Sequence, residues 1–189
     1  IAVAMHAGVA LPGTLAPTRA VPAAYLDWET TSATIDQRLG MVAAGLGIRP
    51  PPVLYKRMTR PLVDEIGTLS AELARRKVGF VVVDSQVFAM SAGEGAAFHE
   101  PMTQFYGALR LFAPAAVLVV SHVTNADART GVPARPFGGA FAFNGPRLIW
   151  EAKRDWEIED ATAIVFTCRK ANALDRKPEA FGLQYHPGH

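Results

Sequence analysis

Two carboxylates and a histidine each stand at the end of an apolar run, where each could do chemistry. Val78-Gly79-Phe80-Val81-Val82-Val83 stops abruptly at Asp84-Ser85. Ala23-Ala24-Tyr25-Leu26 runs through Asp27-Trp28 to Glu29, and the apolar stretch 115–120 ends in Ser121-His122. A carboxylate so placed can orient and activate a water. A second can hold a divalent cation through its shell of waters, and a polar residue on a third strand can sense a phosphate undergoing transfer. Each residue also has a plain structural role open to it. Asp84 suits a strand-end acid that caps the next helix, Glu29 a first-turn acid favoured by the helix dipole, and His122 a loop histidine packed on an aromatic ring. Singly they are ambiguous. Together they favour a site.

The elements that must position them alternate. Residues 1–7 are apolar and predict a buried helix closed by Gly8 and then Pro12-Gly13. A strand over 23–29 follows a proline-rich loop, and Thr30, Thr31 and Ser32 offer caps for a helix over 33–46. A short strand over 53–56 and a helix over 61–76 precede the strand that ends at Asp84. A helix over 95–112, the strand over 115–120 and a long loop to Gly139 come next. The segments 140–154 and 162–169 fit final strands or helices. Uninterrupted β-branched runs suit strands buried on both faces. Alternation of strand and helix suits βαβ units with a mostly parallel sheet, an α/β fold. In such a sheet the carboxyl ends share one edge, so Glu29, Asp84 and Ser121-His122 are expected to converge.

At 189 residues the chain fits one domain with a sizeable core, and a second domain has no room. Half the residues are hydrophobic, yet no apolar run approaches the ~20 residues that cross a bilayer. A net charge of +2 is too small for nucleic-acid binding by bulk electrostatics and leaves only local clusters of Arg and Lys. The single cysteine, Cys168, excludes an internal disulfide and a multi-cysteine metal site, and suits a reducing cytoplasm. No G-x-G-x-x-G after a strand, G-x-S-x-G elbow or paired-histidine metal motif points to a small-molecule enzyme.

Tyr25-Leu26-Asp27-Trp28-Glu29, Val81-Val82-Val83-Asp84-Ser85 and Val119-Val120-Ser121-His122-Val123-Thr124 resemble, in order and spacing, the successive core motifs of RecA-like P-loop (AAA) ATPases. The branch most similar is that of phages and plasmids, with the RepA helicase and single-domain phage recombination ATPases. The resemblance implies a RecA-like three-layer α/β/α sandwich with a mostly parallel central sheet. It implies Glu29 as the glutamate that polarises the attacking water, Asp84 as the Walker B acid near Mg2+ with Ser85 beside it at the nucleotide, and His122 as the reporter of the γ-phosphate. It implies Arg169 and Lys170, in Arg169-Lys170-Ala171-Asn172, as basic residues reaching the ATP of a neighbouring subunit in a homo-oligomeric ring or filament. It further implies a cytoplasmic, host- or phage-encoded ATPase acting on single-stranded DNA in replication or recombination.

The defining G-x-x-x-x-G-K-[ST] loop of that group does not occur in the 189 residues. Residues 1–189 are therefore expected to be one RecA-like core that lacks its N-terminal strand and phosphate loop. A nucleotide-free scaffold or DNA-binding subunit is the alternative. In the loop from Thr124 to Gly139, Arg129 and Arg135 could touch DNA phosphates and Phe137 could stack on a base, or all three could face solvent. Arg57 and Arg60 follow a strand that is expected to end at the same edge, where they could meet nucleotide or solvent.

Overall fold

In the computed structural model, residues 1–11, 17, 19–90, 99–123, 139–158, 161–172 and 175–185 are described. The elements follow in the order α1 (Ala2–Ala7), β1 (Ala23–Asp27), α2 (Ser32–Gly45), β2 (Leu54–Arg57), α3 (Leu62–Arg75), β3 (Phe80–Asp84) and α4 (Gln86–Ala89). Then come α5 (His99–Leu109) with a 3-10 turn (Arg110–Phe112), β4 (Ala116–Val120), α6 (Gly139–Asn144), β5 (Leu148–Ile158), β6 (Ala161–Ala171) and β7 (Phe181–Tyr185).

The four-stranded sheet has the order β2-β1-β3-β4, and every pairing is parallel. Its central strands are apolar on both faces because helices cover both. On one face Ala24, Leu26, Val81 and Val83 pack against Leu62, Ile66, Leu69 and Leu73 of α3 and against Met102, Phe105 and Ala108 of α5. The α3 residues recur at three- and four-residue spacing, the single stripe of a helix lying on a core. Each such side chain contributes roughly 1.5–3 kcal/mol by leaving water. On the other face Ala2 of α1 packs with Ala23, Phe80 and Val82, and α2 lies against α1 and β2. The result is a three-layer α/β/α sandwich of the RecA-like kind.

Local chemistry sets the helix ends. Gly8 closes α1 in the left-handed conformation at φ 69, which a residue without Cβ adopts at no steric cost. Thr31 caps α2, its hydroxyl accepting from the Thr34 amide at 3.3 Å. Asp64 and Glu65 in the first turn of α3 and Arg75 in its last complement the dipole.

The segments left open between strand and helix resolve into both. α6 is a short helix, and β5-β6-β7 form a separate three-stranded antiparallel sheet. On that sheet the Phe181 ring stacks on Phe166 at 5.0 Å and meets Trp150 edge-on at 5.4 Å. Polar contacts through α6 tie this sheet to the main body. The Tyr106 hydroxyl of α5 donates to the Ala142 carbonyl at 3.4 Å. The Lys170 ammonium donates to the carbonyls of Phe143 and Asn144, each at 2.9 Å.

Candidate functional site

The parallel register builds the site. At the carboxyl edge Arg57, Asp27 and Asp84 are partners across β2, β1 and β3. Two residues earlier, and so on the same face, Tyr55, Tyr25 and Val82 are partners. Each tyrosine reaches one pleat forward and one strand across. The Tyr25 hydroxyl donates to Asp84 Oδ2 at 2.5 Å, and the Tyr55 hydroxyl donates to Asp27 Oδ2 at 2.9 Å. Burial, then the hydrogen bond to Asp84 and the charges of Asp84 and Asp27, push the Tyr25 hydroxyl far above its usual range. Tyr25 is therefore a fixed donor at neutral pH, and one lone pair of Asp84 is committed to it.

Glu29 lies two residues beyond the end of β1, a difference from the strand expected over 23–29. The cause is Asp27. Its side chain is fully buried, and its Oδ1 accepts from the amides of Glu29 at 2.8 Å and Thr30 at 3.0 Å. An aspartate that binds amides two and three residues on bends the chain out of the ladder. The ladder itself persists through Trp28, whose amide donates to the Asp84 carbonyl at 2.7 Å. The Trp28 indole nitrogen donates to the Arg60 carbonyl at 2.9 Å, which anchors the turn from the opposite side.

The turn carries Glu29 onto the ends of β3 and β4. The buried Ser85 hydroxyl donates to Glu29 Oε1, and His122 Nε2 lies 3.1 Å from the same oxygen. An ionised carboxylate only accepts, so His122 holds its proton on Nε2 in this contact. The Asp84–Ser85 peptide bond is cis. Glu29, Asp84, Ser85 and His122 are thus brought together, as the common edge of a parallel sheet requires. Both contacts fall on Oε1. Among the described residues none hydrogen-bonds to Glu29 Oε2, which leaves that atom able to take a proton from a water.

Other expected site residues lie elsewhere. Arg169 Nε donates to Glu151 Oε2 at 2.8 Å across the β5–β6 pair, and Lys170 closes the end of α6. Within this chain neither meets Glu29 or Asp84. Arg57 is at the edge, with Nη1 3.3 Å from the Asp27 carbonyl and 3.8 Å from its Oδ1. Arg60 pairs instead with Asp64 at 3.3 Å. Arg129, Arg135 and Phe137 lie outside the described residues. The sequence reading passes over Tyr25, Asp27 and Tyr55 as site residues. The available signal is the two-residue alternation Tyr25/Asp27 and Tyr55/Arg57, which puts polar tips on one face of two strands.

No group of three or more His, Cys, Asp or Glu side chains among the described residues could by itself enclose a metal. No described helix is long and apolar enough to cross a membrane. No curated protein matches the chain. A family model described as an AAA domain matches residues 1–128, about two thirds of the sequence and the whole stretch that carries Glu29, Asp84, Ser85 and His122. With its parallel α/β/α core, the chain belongs to the AAA domain family of P-loop-type ATPases.

Proposed function

We propose that this chain is the catalytic core of an ATP-dependent DNA-processing ATPase that acts on single-stranded DNA, in phage or plasmid replication or recombination. The observation that carries the reading is the meeting of Glu29, Ser85 and His122 beside Asp84 at the carboxyl edge of the sheet.

The residues fit a magnesium nucleotide. Asp84 is half-buried, takes a neutral phenol on one oxygen and has no cationic partner among the described residues. That leaves its charge to the waters of a divalent cation. Ser121 Oγ, one residue before His122, is buried without a hydrogen-bond partner among the described residues, as a group meant for a ligand would be. Bound nucleotide and metal would supply the phosphoryl group and neutralise its developing charge. The chain's own residues do the rest. Glu29 orients a water and accepts its proton at Oε2. Ser85 and His122 hold Oε1 and so fix the carboxylate plane. His122, 61% exposed at its side chain, joins this contact to the segment that follows it.

In the same proposal the phosphate cradle is a glycine-rich loop preceding α1 in the full-length protein. His6, in the last turn of α1, accepts from the Ala23 amide at the start of β1. Ala2, the first residue of α1, packs with Ala23, Phe80 and Val82 on that face of the sheet. Arg129, Arg135 and Phe137, downstream of His122, are assigned to DNA. Lys170 and Arg169 are assigned to an interface between copies in a ring or filament. AAA-type ATPases commonly oligomerise, which supports that assignment.

The test is hydrolysis by the full-length protein, with and without single-stranded DNA, at about 50 and 200 mM salt. Magnesium-dependent turnover that DNA stimulates, more weakly at high salt, is the expected result. DNA binding without any nucleotide binding would replace this reading with a scaffold that keeps the ATPase fold.

A further inference from the structure

We infer that Asp27 is a positioning residue, which aims the Glu29 carboxylate through a buried hydrogen-bonded turn that β2 holds in place. The inference rests on the reading of Glu29 as the water-activating group.

Asp27 is the only fully buried acid among the described residues, with a side-chain exposure of 0%. A buried charge is retained only when it is well partnered. Four donations meet this one: the Glu29 amide at 2.8 Å, the Thr30 amide at 3.0 Å to Oδ1 and 3.2 Å to Oδ2, and the Tyr55 hydroxyl at 2.9 Å. The Arg57 guanidinium, 44% exposed, stands 3.8 Å from Oδ1. The main chain is held as well, because the Asp27 carbonyl accepts from the Met58 amide at 2.8 Å. A plain strand end needs none of this.

The partners define the task. Two donors are the backbone of Glu29 and of the residue after it, so the Asp27 carboxylate fixes where Glu29 leaves the sheet. The third donor, Tyr55, belongs to β2, as does Arg57, whose guanidinium stands farther off; β2 takes no direct part in the contact of Glu29 with Ser85 and His122. Asp27 thus refers the position of Glu29 to the neighbouring strand, while Ser85 and His122 refer its tip to β3 and β4. Catalytic geometry tolerates little error: a displacement of about 1 Å in a reacting group can cost roughly a hundredfold in rate. Supporting partners one step removed from a reacting group commonly matter by about 10–100-fold.

Asp27→Ala, Asp27→Asn and Tyr55→Phe in the full-length protein separate positioning from folding. Asn keeps a carbonyl oxygen for the Glu29 and Thr30 amides, and its amide can donate to Tyr55, whose hydroxyl then accepts. Asp27→Ala should lower kcat by about 10–100-fold, with nucleotide affinity changed by less than about threefold. Asp27→Asn should restore kcat to within about fivefold of the parent, and Tyr55→Phe should lower it severalfold. If Asp27→Ala does not fold, the Asn and Phe variants decide. A kcat equal to the parent's in Asp27→Ala or in Tyr55→Phe overturns the inference, as does a loss of affinity that matches the loss of rate. Glu29→Gln is measured beside them. Normal turnover by that variant would remove Glu29 from the chemistry, which is a failure of the functional reading and not of the turn.

Discussion

Replacing Glu29 by glutamine separates chemistry from structure because the site is asymmetric. The glutamine side chain would keep a carbonyl oxygen where Oε1 now receives Ser85 and His122. It would put an amide nitrogen where Oε2, the oxygen without a described partner, now stands. The group that takes a proton from water is lost while its support is kept. General-base catalysis is worth about 10²–10⁴ in rate, which is about 2.7–5.4 kcal/mol of barrier at 1.36 kcal/mol per tenfold. Stability should move far less. The side chains of His122 and Glu29 are 61% and 32% exposed, so water screens their contact. The expected change is under about 1 kcal/mol, or about 2–4 °C in melting temperature for a chain of this size. The assay is single-turnover ATP hydrolysis by the full-length protein, with binding of a fluorescent ATP analogue and thermal unfolding in parallel. The variant should bind, melt almost normally and hydrolyse at least a hundredfold more slowly. Turnover within about threefold of the parent would refute the role of Glu29. A loss of about 10 °C or more, well beyond the 2–4 °C expected, with proportionate loss of binding would make Glu29 a structural link from the end of β1 to Ser85 and His122.

Gly145→Ala should destabilise by about 1–3 kcal/mol through overpacking. A Cβ there would stand 2.6 Å from Tyr106 Cε2 and 2.7 Å from its Cζ, and the ring is pinned edge-on to Phe105 and bonded to the Ala142 carbonyl. A melting curve identical to the parent's would mean that the ring gives way freely. Burial pushes the Tyr106 hydroxyl up to about 12 from its ordinary 10.0. The unfolded chain ionises first, so this contribution is intact below about pH 10 and lost as pH rises toward 12. Tyr106→Phe should flatten that part of the profile, as read from denaturant midpoints between about pH 9 and 12, and an unchanged alkaline slope would contradict it.

Much of the fold was legible because the central strands are buried on both faces and carry no competing signal. Val81, Val82 and Val83 admit little but a parallel-sheet strand, and the α3 stripe of Leu62, Ile66, Leu69 and Leu73 admits little but a helix on a core. The end of β1 was harder to read. Hydrophobic pattern carries the strand to Trp28 and Glu29, but the Asp27 carboxylate competes for the amides that would have continued it. The small antiparallel sheet was harder still. Its strands are half-exposed, and it is held by pairs such as Arg169 with Glu151 and Phe166 with Phe181 that join distant parts of the chain. No local window contains both members.

The site shows the same limit in sharper form. That Glu29, Asp84 and His122 share an edge follows from parallel topology alone, since parallel strands carry their ends to one side. Which strands are neighbours does not follow. Tyr25 and Asp84 are 59 residues apart, and His122 and Glu29 are 93 apart, yet each pair is within hydrogen-bonding reach. In a sequence an aromatic residue on an apolar strand signals core, and Tyr25 does pack, half-buried, against the cluster of Ala23, Phe80 and Val82, while Tyr55 is half-buried on the edge strand β2. Only the order β2-β1-β3 gives each hydroxyl an acid one pleat forward on the next strand. Losing the β1–β2 pairing would cost Asp27 its Tyr55 donor, and losing the β1–β3 pairing would cost Asp84 its Tyr25 donor, at about 1–3 kcal/mol for each. The two tyrosines therefore contribute to specifying the strand order that assembles the site, and a sheet that satisfies them has already brought Asp27 and Asp84 side by side.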